Sequence, residues 1–76
     1  MPRFYFDLHE GCEVFRDEDG VDLADRRLAE IHARRTACDV AKDSAERGDR
    51  TVKVLVRDER ETVFAVEVNA KVSGAP

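Results

Sequence analysis

Apolar and polar residues alternate at the start of the chain. The even positions from Phe4 to Leu8 are apolar and lie on one face of an extended segment, whereas the odd positions, including Tyr5, lie on the other. Glu10-Gly11 is expected to form a turn, because glycine takes positive φ without steric cost. A second strand is expected over residues 12–16, so the opening of the sequence predicts a β-hairpin.

The loop length of this hairpin decides which residues pair. A two- or four-residue loop is expected to set Leu8 opposite Glu13 and Phe6 opposite Phe15, whereas a three-residue loop sets Val14 beside Phe6. We favour the first register, because an aromatic pair contributes about 0.5–1.5 kcal/mol beyond its burial. Phe15 is then part of the core, and Val14 lies on the opposite face.

A helix is predicted after an acidic turn at residues 17–20. In this turn the Asp side chain is expected to bond its own backbone, and the Gly to take positive φ. The helix is expected to begin after an N-cap at Asp25 and to extend to Arg47, with Gly48 as its C′ residue. Val40 is expected on the far face. At about 100° per residue, the stripe expected to face the sheet consists of Ala24, Leu28, Ile31, Cys38 and Ala45, with Ala41 at its edge.

Two more alternating segments follow, at residues 51–57 and 62–68, and a polar turn at residues 58–61 separates them. The order β-β-α-β-β predicts an α+β fold: a four-stranded antiparallel sheet, in the order 2-1-3-4, with the helix packed on one face. One domain is expected over residues 1–70, followed by a flexible tail at residues 71–76. The inward side chains of the last two strands are Val52, Val54, Val56, Phe64, Val66 and Val68.

Composition limits what this chain can be. A domain of 76 residues has a small core, and self-association is a usual remedy for its marginal stability. A net charge of -4 opposes attraction to nucleic-acid phosphates. Two cysteines are too few for a secreted disulfide framework, and neither a signal-peptide pattern nor an apolar run of about 20 residues occurs. We therefore expect a cytoplasmic protein that does not cross a membrane.

The sequence shows no pattern typical of catalysis. His9 and Cys12 are expected to face each other across a two-residue turn, but structural zinc needs four ligands and catalytic zinc about three from the protein. A Gly-rich phosphate loop, a nucleophile elbow and a calcium loop are also missing. We expect no enzyme activity, no metal and no cofactor, and the reactivity of Cys12 stays open.

The helix carries a local cluster of arginines. Arg27 and Arg34 lie on one face, as a phosphate or nucleic-acid contact requires. Pairing of Glu30 with Arg26 and Arg34 gives a simpler interpretation, a solvated helix face. Nucleic acid is therefore disfavoured as a partner.

The sheet face opposite to the helix is less polar than a solvated face should be. Its apolar residues are Tyr5, Val14, Leu55, Val63 and Ala65. We interpret them as the surface of a homodimer or of an unknown protein partner. The leading hypothesis is a small interaction module that associates with itself through this face. The alternative is a weak nucleic-acid- or phosphate-binding domain that uses Arg27 and Arg34.

Residues 1–8, residues 16–23 and the Ala- and Arg-rich helix together resemble a short bacterial family of unknown function. Members, frequent in alphaproteobacteria, open with Met-Pro-Arg and two aromatic residues, continue with an Asp-x-x-Gly-x-x-Leu segment and end with two strands. Position 7 is often His in that family and is Asp7 here. The resemblance implies a fold and no catalytic role.

Overall fold

The computed structural model describes residues 1–48 and 50–74. These residues form one α-helix packed on one face of an antiparallel sheet, so the predicted α+β class is confirmed. Residues 71–74 lie outside regular structure, and the last two residues of the predicted tail, 75–76, lie outside the described residues. The elements are β1 (Arg3–Glu10), β2 (Glu13–Phe15), β3 (Val21–Asp22), α1 (Arg26–Asp43), β4 (Arg50–Arg57) and β5 (Thr62–Ala70).

The sheet has five strands rather than the predicted four. Its main path runs β2-β1-β4-β5, and β3 pairs with β1 off this path. This main path corresponds to the order 2-1-3-4 when only the four predicted strands are numbered. The short strand β3 was not predicted, because a two-residue strand leaves no alternation to detect. Arg3 lies opposite Asp22 and Phe4 opposite Val21, which fastens the segment ahead of α1 to the start of β1.

The first hairpin has a two-residue loop, and Leu8 lies opposite Phe15. The predicted pairs of Leu8 with Glu13 and of Phe6 with Phe15 are therefore wrong. β2 has only three residues and ends before it reaches Phe6. Phe15 is consequently 52% exposed rather than part of the core.

The core lies between β1, β4 and α1. The three inward valines of β4 have no exposed surface, because β4 has paired strands on both sides and α1 above it. Phe64, Val66 and Val68 of β5 pack at its margin, so the inward faces of the last two strands are confirmed. The buried apolar residues are Phe4, Phe6, Ala29, Ala33, Ala37, Val52, Val54 and Val56.

The start of α1 is as predicted, but its end is not. The Asp25 carboxylate accepts the Leu28 N–H at 2.9 Å, which is the expected N-cap. The α-helix ends at Asp43 instead of Arg47, and a short 3₁₀ turn over Ala45–Arg47 follows. Gly48, predicted as the C′ residue of the α-helix, instead follows this 3₁₀ turn as its C-cap, with φ 93°.

The predicted inner face of α1 is wrong. Ala29, Ala33 and Ala37 are buried, whereas Cys38 is exposed and Leu28 is 42% exposed. Val40, predicted on the far face, packs against the core. The helix approaches the sheet along its alanines, because the aromatic side chains of β1 and the valines of β4 already fill the space beneath it. Of the predicted stripe, Ala24 and Ala45 are exposed, Ile31 is half-buried, and Ala41 packs against the core.

Candidate functional site

One carboxylate fixes the segment between β2 and β3. Asp17 Oδ1 accepts the N–H groups of Asp19 (3.1 Å) and Gly20 (3.0 Å), and Oδ2 accepts the N–H of Phe6 (3.1 Å). The Asp17 N–H donates to Asp7 Oδ1 at 2.9 Å. The Asp17 side chain thus replaces the backbone acceptor that a continuous strand would offer to β1.

Arg57 donates hydrogen bonds to both Asp7 and Asp17 on the sheet face opposite to α1. Its Nε donates to Asp7 Oδ2 at 2.8 Å, and its Nη2 donates to the Asp17 carbonyl at 2.6 Å. The guanidinium lies over the Tyr5 ring, 4.5 Å from its centroid. Asp7, Asp17, Arg57 and Tyr5 form what we call the Arg57 cluster.

Opposing effects set the pKa values of the two carboxylates in the Arg57 cluster. Burial raises the pKa of Asp7, but hydrogen bonds from Arg57 and from the Asp17 N–H outweigh it, so that the pKa is lowered. Burial likewise raises the pKa of Asp17, and the N–H groups of Gly20, Phe6 and Asp19 outweigh it. Both groups are therefore stabilised as carboxylates.

The Asp-x-x-Gly-x-x-Leu segment serves the fold. Asp17 makes the turn, and Gly20 takes φ 74° where a Cβ would lie 2.9 Å from the Tyr5 ring. Leu23 donates its N–H to the Pro2 carbonyl and packs against the core. The predicted turn chemistry is confirmed, and its acceptors are used inside the protein.

A second buried carboxylate joins the hairpin to the end of α1. Glu10 accepts hydrogen bonds from the Ser44 hydroxyl and from Arg47 Nη1, the latter at 3.1 Å. Among the described residues, every buried side-chain nitrogen or oxygen has a partner. The buried carboxylates of Asp7 and Glu10 therefore join separate elements of the fold through hydrogen bonds. The sequence did not reveal this role, because both residues lie in a pattern typical of a solvated strand face or turn.

The residues considered for a metal lie apart. His9 lies opposite Val14, so the expected facing of His9 and Cys12 is wrong. The His32 ring packs on Phe6 with 4.4 Å between centroids. Over residues 1–48 and 50–74, no three His, Cys, Asp or Glu side chains are close enough to hold a metal ion.

The predicted outer-face residues occupy different surroundings. Tyr5 lies beneath Arg57, and Val63 is the extra residue of a β-bulge and packs against the core. Leu55 and Ala65 are cross-strand neighbours, whereas Val14, 60% exposed, lies at the opposite edge of the sheet on β2.

An open groove of about 860 Å³ runs between α1 and β5. Its floor on the β5 side is lined by residues 64–68, which include Glu67, and the apolar side chains of Phe64, Val66 and Val68 pack against the core. Its helical wall consists of Arg26, Arg27, Glu30, Arg34 and Cys38. The structure therefore brings the two arginines singled out in the sequence, Arg27 and Arg34, to an apolar floor that the sequence did not connect with them.

The arginines of the groove differ in how firmly they are held. Arg26 Nη2 donates to the Val63 carbonyl at 2.6 Å, and its guanidinium lies 5.8 Å from the Phe64 ring centroid. Arg34 forms an exposed ion pair with Glu30 at 3.0 Å. Arg27 makes no side-chain hydrogen bond within the part of the chain described, so its guanidinium is available to a ligand.

The backbone direction of β1 follows from Phe6. Its N–H points to Asp17, on the side of β1 where β2 pairs. N–H and C=O groups of successive strand residues point to opposite edges. Tyr5, Asp7 and His9 therefore direct their backbone groups toward β4.

The same alternation continues across β4 to β5. Asp7 lies opposite Leu55, so the backbone N–H and C=O groups of Leu55 point back to β1. The backbone groups of its neighbour Val54 therefore point to β5. Val54 lies opposite Val66, which therefore points to β4. Within residues 1–48 and 50–74, no strand pairs with the other edge of β5. The residues that direct N–H and C=O groups to this free edge are Ala65, Glu67 and Asn69.

The fold and the groove define a class: a small α+β protein with a basic groove beside the free edge of an antiparallel sheet. The model of the family described as Domain of unknown function (DUF6894) matches residues 3–69. The chain belongs to this family, and the expected resemblance to a family of unknown function is confirmed. No curated protein and no solved structure matches the chain. No helix in the described ranges has the length and apolar character needed to cross a membrane.

Proposed function

We propose that this protein is an interaction module that takes up an extended segment of a polypeptide along β5. The observation that carries the proposal is the free edge of β5, where Ala65, Glu67 and Asn69 direct their backbone groups outward. In strand addition, main-chain hydrogen bonds supply affinity and alternate side chains supply specificity. The adjacent groove offers a place for those side chains.

The composition of β5 supports this use of its edge. Long edge strands are usually protected by short length, charged side chains, proline or bulges. β5 has nine residues, with one charged residue, Glu67, and one bulge, at Val63 near its start. The rest of the strand has no such protection.

The proposed surface differs from the outer sheet face suggested by the sequence. On that face Arg57 covers Tyr5, and Val63 packs against the core. These contacts leave less apolar surface there than the residue pattern suggested. A second copy of the chain is one source of an extended segment, so self-association is a form of the same proposal. The protein is proposed to bind rather than to catalyse.

Three end-capped peptides test the proposal. Each has nine residues, the length of β5, and consists of Thr with Val at the fifth position and with Glu, Gln or Lys at the third and seventh. Hydrogen exchange followed by NMR would report on the amides of Ala65, Glu67 and Asn69. At least one peptide should slow their exchange. Protection of these amides by none of the three peptides would contradict the proposal.

A matched pair of variants shows whether binding uses the edge. Glu67→Pro removes an outward N–H without removing a bond to β4, and proline is tolerated at such positions. Glu67→Thr removes the same charge but keeps the N–H. Binding should be lost in Glu67→Pro and kept in Glu67→Thr. Equal binding by both variants would place the peptide elsewhere.

A second candidate function is the binding of phosphate or nucleic acid. It is supported by Arg26, Arg27 and Arg34, which line one groove. The net charge of -4 and the pairing of Arg34 with Glu30 oppose it. Such binding must strengthen as salt is removed. Absence of oligothymidylate binding at low ionic strength would exclude this candidate.

The compartment we propose is the cytoplasm. Cys12 and Cys38 are free and exposed. Exposed thiols of this kind persist where glutathione and thioredoxin keep the compartment reducing.

A further inference from the structure

The wall of the groove beside β5 is basic, although the whole chain is acidic. Arg26, Arg27 and Arg34 line it together with two carboxylates, Glu30 of α1 and Glu67 of β5, so the three arginines exceed the carboxylates in a chain with a net charge of -4. The basic character is therefore local to the edge where we propose that a segment binds. An incoming strand would lie beside β5 and below these arginines.

From this arrangement we infer that the segment taken up by β5 is acidic. It places one carboxylate near Arg27 and one near Arg34, with an apolar side chain between them beside Val66. This inference rests on the proposed function, because the segment must first be a strand paired with β5.

The spacing of the arginines sets the spacing of the carboxylates. Arg27 and Arg34 are seven residues apart, about 10.5 Å along the helix axis. Side chains on one face of a strand recur about every 6.7 Å, so positions i and i+4 are about 13 Å apart. The flexible arginine side chains accommodate the difference. The middle residue of the same face, i+2, then falls beside the apolar floor at Val66.

Charge also discriminates among the occupants of the groove. Antiparallel pairing of two β5 strands about a twofold axis would keep both helices on the same face of one continuous sheet. Each copy would then direct its own Arg27 and Arg34 toward those of the other, and like charges repel. A nucleic acid would satisfy the arginines but has no peptide groups to pair with the free edge.

The peptides described above separate this inference from the proposed function. At low ionic strength, the Glu peptide should bind at least tenfold tighter than the Gln peptide, and added salt should reduce the ratio. Arg27→Gln and Arg34→Gln should each lower the preference several-fold. Arg35→Gln is the matched control, because Arg35 is exposed and is not part of the groove. It should leave the preference unchanged.

Each other outcome overturns a defined part of the account. Equal binding of the Glu and Gln peptides, with protection of the Ala65, Glu67 and Asn69 amides, would overturn the acidic segment and leave the proposed function standing. Protection by no peptide would overturn both. Binding of oligothymidylate that is tighter than that of the Glu peptide, and unchanged in Glu67→Pro, would assign the groove to nucleic acid. A dimer that dissociates in Glu67→Pro but not in Glu67→Thr would assign the edge to a second copy.

Discussion

At the scale of single residues, Asp17 stabilises the side of β1 that β2 and β3 leave uncovered. Its carboxylate accepts three backbone N–H groups. Asp17→Asn replaces one acceptor oxygen with a donor, and a buried N–H left without a partner costs about 1–3 kcal/mol. We expect a decrease of this size in the free energy of unfolding, measured with urea. Asp19→Asn, at an exposed position, should change it by less than about 0.5 kcal/mol. Equal effects would contradict this role of Asp17.

The Arg57 cluster also predicts how stability depends on pH. The pKa values of Asp7 and Asp17 are lower in the folded protein than in the unfolded chain. The unfolded chain therefore binds more protons at acidic pH, and stability falls as pH falls. The contribution is fully present above the ordinary Asp pKa of about 3.9 and is lost as pH drops through the folded values. Urea unfolding at a series of acidic pH values should show this loss, and Asp17→Asn should reduce it. If the free energy of unfolding depended on pH with the same slope in Asp17→Asn as in the unchanged protein, the contribution of Asp17 would be contradicted.

Gly20 tests the close approach of the acidic turn to β1. Its φ is 74°, and a Cβ there would lie 2.9 Å from Arg3 Cγ and from Tyr5 Cε1. Gly20→Ala should lower the free energy of unfolding by about 1–3 kcal/mol, because it adds both backbone strain and a clash. Gly74→Ala, where a Cβ meets nothing within 4 Å, should have no measurable effect. A neutral Gly20→Ala would show that the turn moves freely.

At the scale of elements, α1 can be used to compare the predicted face with the observed one. Ala33 has no exposed surface, so Ala33→Leu should destabilise the protein by about 1–3 kcal/mol through overpacking. Leu28 is 42% exposed and outside the core, so Leu28→Ala should cost less than about 1 kcal/mol. Thermal unfolding would compare the two. A larger loss in Leu28→Ala than in Ala33→Leu would restore the face predicted from the sequence.

The elements differ in how far their sequences determine them. β4 and β5 alternate with a period of two against one buried face, and their inward residues were predicted correctly. The face of α1 was not, because the predicted stripe followed Leu28, Ile31 and Cys38, whereas the buried stripe consists of Ala29, Ala33 and Ala37 and the sheet below supplies the bulk. The hairpin loop has one of the favoured lengths, two residues, but it consists of residues 11–12 instead of 10–11, and this shift by one residue places Leu8 opposite Phe15. The groove could not be predicted, because it depends on the approach of Arg27 and Arg34 to β5.

At the scale of the whole molecule, the two sides of the sheet are unequal. Along β1, the short strands β2 and β3 and the Asp17 carboxylate supply partners. Along β5, nine residues end the sheet with no strand beside them within residues 1–48 and 50–74. Only this second edge adjoins the basic groove. The asymmetry therefore directs the proposed strand addition to β5.

The most direct test of strand addition is hydrogen exchange at the free edge of β5 with the Glu peptide present. The amides of Ala65, Glu67 and Asn69 should exchange at least tenfold more slowly when the protein is saturated with peptide. The amide of Val66, which points to β4, should change little by comparison. Unchanged exchange of the three outward amides at saturation would show that the peptide does not pair with β5, and would contradict the account.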